Sequence, residues 1–207
     1  MLTSSAALVV RDATVRDAFE VTQTLVAALT DSRLGSWLGM DDGSLSGSLL
    51  PWVAAVVTQA TDSGIVRVVE ENGRVVAAAL WSLETARPVG VRRAFWPVNN
   101  AQPDVRSRWK LLEEVAQTRR PLHPAHQRLA LLGVHPDRQG EGLSNYLLIG
   151  HHALLDVMGV AAYALADESS RGLLSRHGYT AVGESRLLPG RMPVWAMWRP
   201  PAPADRG

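Results

Sequence analysis

With 207 residues, 46% of them hydrophobic and 20% charged, the chain has the composition of a folded globular protein and the length to bury a core without staples. Its 21 basic residues are balanced by 20 acidic ones and leave a net charge of +1, so there is no global field of the kind that draws nucleic acid or an anionic membrane. The absence of cysteine excludes disulfides, thiolate metal sites and cysteine nucleophiles.

The opening Met1-Leu-Thr-Ser-Ser has no basic segment ahead of its short apolar run, which argues against a signal peptide. No apolar run approaches the ~20 residues of a membrane span. The expectation is a cytoplasmic protein with no membrane partner. Leu8 to Val10 reads as a first strand. Thr14 and Asp17 then mark a helix start, a hydroxyl followed three residues on by an acid. Val15, Ala18, Phe19, Thr22, Leu25, Val26 and Leu29 recur at helical spacing. Residues 31–43 read as a loop carrying Trp37 and Leu38, and a second helix is expected over Leu49 to Ala60, with Pro51 in its first turn.

Ile65 to Glu71 and Arg74 to Trp81 are two β-rich runs around Asn72-Gly73, a pair suited to the positive φ angles of a tight hairpin turn. Residues 82–103 are irregular. Helical spacing returns from Asp104 to Arg120 through Val105, Trp109, Leu112 and Val115, and Pro121 and Pro124 close it. Gln127 to Val134 is a strand. A helix follows, its buried face expected at Leu143, Tyr146, Leu147, Gly150, Ala153, Leu154 and Val157, with Gly159 as its stop. Val160 to Ala166 is the next strand, and the strand–helix–strand order makes one parallel crossover. Ser169 or Ser170 can cap a short helix that ends at Gly178. Two last strands, Thr180 to Arg186 and Val194 to Trp198, flank Pro189-Gly190. Residues 1–199 are read as one domain and 200–207 as a disordered tail.

Between strand and helix lies Gly133-Val134-His135-Pro136-Asp137-Arg138-Gln139-Gly140-Glu141-Gly142-Leu143-Ser144. A glycine turn opening a helix presents unpaired N–H groups and the positive end of the helix dipole, a natural seat for phosphate. One reading is a dinucleotide site, with Gly140-x-Gly142-x-x-Asn145 as an imperfect fingerprint and Asp167 as the ribose acid of an NAD-dependent oxidoreductase. Against it stand Asn145 in place of the third glycine, the five residues His135 to Gln139 before the first glycine, and a single parallel crossover. The bland reading is a strand-to-helix turn whose glycines serve the backbone alone.

The same stretch resembles the central motif of the GNAT superfamily of acyl-CoA-dependent N-acyltransferases: Gln or Arg, two residues, Gly, one residue, then Gly or Ala. It falls here on Gln139, Gly142 and Ser144, the serine replacing the usual small residue. Leu173-Leu174-Ser175-Arg176-His177-Gly178-Tyr179 is similar to the second signature of the family, and Val182-Gly183-Glu184 follows it. The Val-Arg-Asp-Ala-Thr opening, the Glu-Asn-Gly-Arg-Val-Val-Ala-Ala-Ala-Leu-Trp hairpin and the Pro-Val-Trp-Ala-Met-Trp ending look like the branch that holds puromycin N-acetyltransferase.

The resemblance implies a mixed α/β (α+β) fold: a twisted central sheet of six to seven strands with splayed middle strands, flanked by four to five helices. It implies acetyl-CoA or a related acyl-CoA as co-substrate, with its pyrophosphate held by the amides of Gln139, Gly140, Glu141, Gly142, Leu143 and Ser144. Leu132, Gly133 and Val134 would pair with the pantetheine arm, a backbone N–H near Val134 would meet the thioester oxygen, and Ser170 would contact the cofactor. The acceptor is then a primary amine of a small molecule, antibiotic-like if the branch resemblance carries that far. No nucleic acid and no metal is required, and a homodimer is left open.

One position departs from the family. Leu174 stands where most relatives carry the tyrosine that protonates the departing thiolate, and general acid catalysis is worth ~10²–10⁴-fold. The general acid is therefore unassigned, and a GNAT-shaped protein that binds acyl-CoA without transfer is the alternative function. For the base, His126 at the start of the strand before the loop is a candidate by the pKa of imidazole, against a plain strand-end histidine. His123 and His126 flank Pro124 with no third ligand in sight, and His151 and His152 point to different sides of a helix, so neither pair suggests a metal. Trp37, Trp52, Trp81, Trp96 and Trp109 crowd the first half, either as an aromatic acceptor pocket or as core filling.

Overall fold

Short β-branched runs in this chain become strands, and apolar residues recurring at three and four positions become helices. The computed structural model describes residues 7–39, 45–84, 103–121 and 125–203. In chain order they form β1 (Leu8–Asp12), α1 (Ala18–Thr30), α2 (Arg33–Leu38), α3 (Leu45–Ser63), β2 (Ile65–Glu71), β3 (Arg74–Glu84), α4 (Pro103–Arg119), β4 (His126–Val134), α5 (Leu143–Val157), β5 (Ala161–Ala166), α6 (Glu168–Arg176), β6 (Thr180–Leu187) and β7 (Met192–Arg199). None of these helices is long and apolar enough to cross a membrane.

The strands make one mixed sheet in the order β1-β2-β3-β4-β5-β7-β6. Every neighbouring pair is antiparallel except β4 and β5, which are parallel because α5 returns the chain between them. The expected mixed sheet with parted middle strands is the observed one. A dinucleotide fold repeats the parallel crossover, and among the described residues this sheet has it once, between β4 and β5. At the first hairpin Asn72 and Gly73 take φ 52° and 78°, the two positive values the turn requires.

Helix boundaries differ from expectation at three places. Within 31–43, read as loop, lies α2: the Ser32 hydroxyl accepts the Gly35 N–H at 2.9 Å and starts it. With α2 the described helices number six rather than four to five. The second long helix starts at Leu45, so Pro51 falls inside α3 rather than in its first turn. Asp17 does reach back to the Thr14 N–H at 2.7 Å, but it closes a one-turn 3-10 helix, Val15–Asp17, that precedes α1, and Val15 and Phe19 are exposed.

Each sheet face carries its own core. Val66, Val68, Ala78, Leu80 and Leu131 pack with α1, α3 and α4, while Val69, Ala77, Ala79, Trp81 and Leu129 pack with α5 and α6. Ala77 to Trp81 thus alternate face by face, as a strand buried on both sides must. The buried face of α5 is rotated from the expected one. Tyr146, Gly150, Ala153, Leu154 and Val157 are exposed, and His151 and His152 are buried with Leu143, Leu147, Leu148 and Leu155. Two polar rings displace apolar residues from the interior because each finds partners there. His151 Nε2 donates to Gln127 Oε1 at 2.7 Å and its ring stacks on Trp81 at 4.1 Å, and His152 Nε2 lies 3.0 Å from the Tyr179 hydroxyl. The start of the expected free tail is tied down as well: the Ala202 N–H donates to Asp156 at 2.7 Å.

Candidate functional site

The two middle strands begin together and then separate. β4 and β5 pair from His126 with Ala161 to Leu129 with Ala164. Immediately beyond, β4 is bulged: Leu129 lies opposite Trp81 and Leu131 opposite Leu80 on β3, which leaves Ala130 as an extra residue. A bulge bends its strand and increases the local twist. β4 therefore turns away from β5, while β5 remains paired with β7 as far as Ala166 and Trp195. Above Ala130 the β5-facing backbone of β4 has no strand partner among the described residues.

A cavity of about 150 Å³ occupies the gap. Leu129, Ala130, Leu131 and Leu132 form one wall, Ala164 and Leu165 the other, with α1 across the top and Asp167, Ser169, Ser170 and Leu174 at its end. A second cavity of about 40 Å³ shares Leu129, Ala130, Leu165 and Asp167 with the first and continues to Trp109, Leu112, Arg128 and Val194. Gly133 lets α1 approach β4 closely: a Cβ there would meet the Leu25 side chain and the Ala28 Cβ at 2.9 Å.

At the end of β4 the His135 N–H still bonds to Val76 O at 2.9 Å, and Pro136 then opens a one-turn 3-10 helix, Pro136–Arg138. Its hydrogen bonds consume the Arg138 amide on His135 O and the Gln139 amide on Pro136 O at 3.2 Å. The row of free donors is thus shorter by one than expected from sequence. The Gln139 amide is spent, and its side chain reaches Val134 O at 3.4 Å. The amides of Gly140, Glu141, Gly142, Leu143 and Ser144 find no acceptor among the described residues. Gly140 and Gly142 take φ 80° and 77°, and Gly142 is the N-cap of α5, so the free amides stand at the positive end of that helix. Glu141 does not oppose an incoming anion with a bare charge. Arg138 donates to it at 2.8 and 2.7 Å, holds its carboxyl below the usual range, and bonds Glu71 at the end of β2 with its remaining nitrogen.

The other end of the cleft differs from the sequence reading. Asp167, rather than Ser169 or Ser170, caps α6. Ser170 lines the cavity, but its hydroxyl serves the cap: it accepts the Asp167 N–H at 3.0 Å and donates to Asp167 Oδ1 at 2.7 Å. Leu174 is 2% exposed and forms part of the cleft wall. His126 stands apart from this cluster. It is the first residue of β4, in the paired half, buried against Tyr163 and Trp198 with ring centroids at 5.8 and 4.9 Å, and it lines neither cavity. Of the residues singled out in the sequence, Leu132, Ser170 and Leu174 line the larger cavity, while Gly133, Val134, the glycine loop beyond the end of β4 and His126 line neither cavity.

His151 and His152 are turned to different partners, and burial lowers their pKa to about 4 and about 3, which keeps both neutral. Among the described residues no cluster of three or more His, Asp or Glu could hold a metal. Trp37, Trp52, Trp81 and Trp109 are all buried, and of these Trp109 alone lines one of the two cavities. Trp52 and Trp109 pack ring to ring at 4.1 Å, and Trp37 Nε1 donates to Pro189 O at 2.9 Å. Core filling accounts for most of the aromatic excess. Trp96, His123 and Pro124 lie outside the described residues.

No protein-family model and no curated protein sequence matches the chain. Solved structures do. One is a histone acetyltransferase HPA2 and related acetyltransferase from Corynebacterium glutamicum, with TM-score 0.65 and 20% identity over 96% of this chain and 99% of that one. A mosquito arylalkylamine N-acetyltransferase-like protein aligns with TM-score 0.68 and 15% identity over 94% of this chain and 100% of its own. A GNAT family acetyltransferase from Brucella melitensis, solved with acetyl-CoA, aligns with TM-score 0.54 and 17% identity over 95% and 90%. The chain has the fold of the GNAT acetyltransferases along nearly its whole length.

Proposed function

We propose that this chain is an N-acyltransferase of the GNAT type that moves an acyl group, acetyl first among them, from acyl-CoA to the primary amine of a small molecule. The observation that carries the reading is the parting of β4 from β5 at Ala130, with a cavity in the gap and a row of free amides at the loop beyond it. The fold shared with an acetyltransferase solved with acetyl-CoA supports it, as does the arylalkylamine name of another neighbour. The bound co-substrate supplies an activated thioester. Gly140, Glu141, Gly142, Leu143 and Ser144 would hold its pyrophosphate by main-chain donors. The unpaired backbone of Leu132 and Val134 would take the pantetheine amides as an added strand would. In the transfer the amine nitrogen bonds to the acyl carbon, the carbon–sulfur bond breaks, and the proton lost by nitrogen balances the one gained by the thiolate. A main-chain N–H near Val134 would stabilise the negative oxygen during that exchange.

Leu174 favours one second reading. An apolar, buried side chain at the end of the cleft cannot protonate sulfur. A protein that retains acyl-CoA without transferring the acyl group is consistent with it. Calorimetry with acetyl-CoA, followed by thiol release over a panel of amines, separates the two. Transfer predicts saturable binding and amine-dependent thiol release. Binding without release on any amine, and no gain in Leu174→Tyr, would establish the second reading. A β-branched side chain at φ 77° costs ~1–3 kcal/mol, so Gly142→Val should weaken acetyl-CoA by roughly 10- to 100-fold. Unchanged affinity in that variant would remove the glycine loop from the site.

A further inference from the structure

We propose that Asp167 selects the acceptor by charge, its carboxylate receiving a protonated alkyl- or arylalkylamine where the two cavities meet. The proposal rests on the acyltransferase reading above and adds the class of acceptor to it. Asp167 lines both cavities and, among the described residues, is the one ionisable group lining the larger. The smaller is also lined by Arg128, whose guanidinium is already spent on Glu113 in a two-point ion pair at 2.7 and 2.8 Å. The uncompensated charge at the junction is therefore negative.

The carboxylate is held ready. Its Oδ1 accepts from the Ser169 hydroxyl at 2.8 Å, the Ser170 N–H at 2.9 Å and the Ser170 hydroxyl at 2.7 Å. Its Oδ2 makes no hydrogen bond among the described residues. One oxygen fixes the group and the other is open to a ligand, so little side-chain entropy remains to be lost on binding. Around it the walls are apolar: Leu34, Leu129 and Leu165 in both cavities, with Trp109 and Leu112 in the smaller. A cation on a short apolar stem satisfies both features. Alkylamines meet that description at neutral pH, since their ammonium forms titrate near ~10. An acceptor carrying its own carboxylate would be repelled at the same place.

Asp167→Asn tests this without removing the α6 cap, because asparagine caps helices as well as aspartate does. The probes are 2-phenylethylamine, a cation at pH 7, and O-benzylhydroxylamine, a neutral analogue of similar shape, each titrated into the coenzyme A-loaded protein by calorimetry. Wild type should prefer the cation. In Asp167→Asn its affinity should fall about tenfold, the loss expected of one charge-assisted contact, with the neutral probe and coenzyme A unmoved. Asp167→Glu should recover part of the preference. No detectable cation binding to wild type, or equal affinities for the cation in wild type and Asp167→Asn, would overturn the proposal. Failure of wild type to bind coenzyme A would instead sink the acyltransferase reading beneath it.

Discussion

The paired and parted halves of β4 are one strand with opposite chemistry. In the paired half, His126 to Leu129, polarity resides in side chains and is spent internally. Arg128 grips Glu113, Gln127 meets His151, and the neighbouring Tyr163 hydroxyl donates to Ala116 O at 2.9 Å. In the parted half, Ala130 to Val134, the side chains are small or apolar, and the unspent polarity belongs to the main chain. A strand whose side chains complete one another holds its neighbour in place. A strand with free backbone groups asks something else to complete it, and the bulge at Ala130 divides the two regimes.

Breaking the paired half should produce the largest loss. Burial pulls the Arg128 guanidinium pKa down, but the charge and hydrogen bonds of Glu113, with the Glu84 charge, outweigh it and leave it raised. Removing one partner of a buried pair strands the other and costs ~3–5 kcal/mol. Arg128→Met should therefore lose about that much in urea unfolding. Adding Glu113→Leu should return most of it, since an apolar pair of similar volume is often as stable as the ions it replaces. Equal stability of the single and double variants would mean that Glu113 reaches water once Arg128 is gone.

Breaking the division between the halves should cost binding rather than stability. Leu129 and Leu131 already face opposite cores and lie opposite consecutive residues of β3. Deleting Ala130 would leave both on their present faces and restore regular alternation. β4 would then run straight beside β5. The expected result is a folded protein whose acetyl-CoA affinity falls by about 100-fold, or ~2.7 kcal/mol. Calorimetry alongside circular dichroism would show it. Loss of fold together with affinity would instead place the bulge among the groups that stabilise the sheet.

The two halves were unequally legible from the chain. The parted half announced itself through local chemistry. Gly140 and Gly142 need positive φ, Pro136 stops the strand, and the spacing of Gln139, Gly142 and Ser144 carried the family resemblance. Even there the consumption of the Gln139 amide by Pro136 O depends on a 3-10 turn that the residue types do not specify. The bulge left a trace only in retrospect, as a run of apolar residues from Leu129 to Val134 that keeps no alternation. The paired half was the harder one to read. Periodicity places apolar residues inward, so it pointed to Tyr146 and Leu154 rather than His151 and His152. The partners that make burial of those rings favourable, Gln127 and Tyr179, are remote in sequence and enter only through the tertiary fold. His126 begins β4, at the start of the strand where the sequence places it. Its chemistry suggested a base, while its register puts it below the division, in the closed part of the sheet.

The buried histidines offer the gentlest test of the comparison, because they probe the closed half by pH alone. Burial holds the His151 pKa at about 4, helped by the Arg67 charge, against an ordinary 6.5. Below 6.5 the unfolded chain takes up a proton that the folded chain refuses until near 4. The contribution is fully present above 6.5 and is lost as the pH falls between those values. At 1.36 kcal/mol per pKa unit the loss for this one residue is at most about 2 kcal/mol by pH 5. His151→Gln keeps a donor for Gln127 and removes the titration. Its unfolding free energy should start lower at pH 7, for want of the stack on Trp81, and then decline less steeply toward pH 5 than that of wild type. Parallel slopes would mean that His151 is protonated in the native state, with the closed half more open to water than its packing implies.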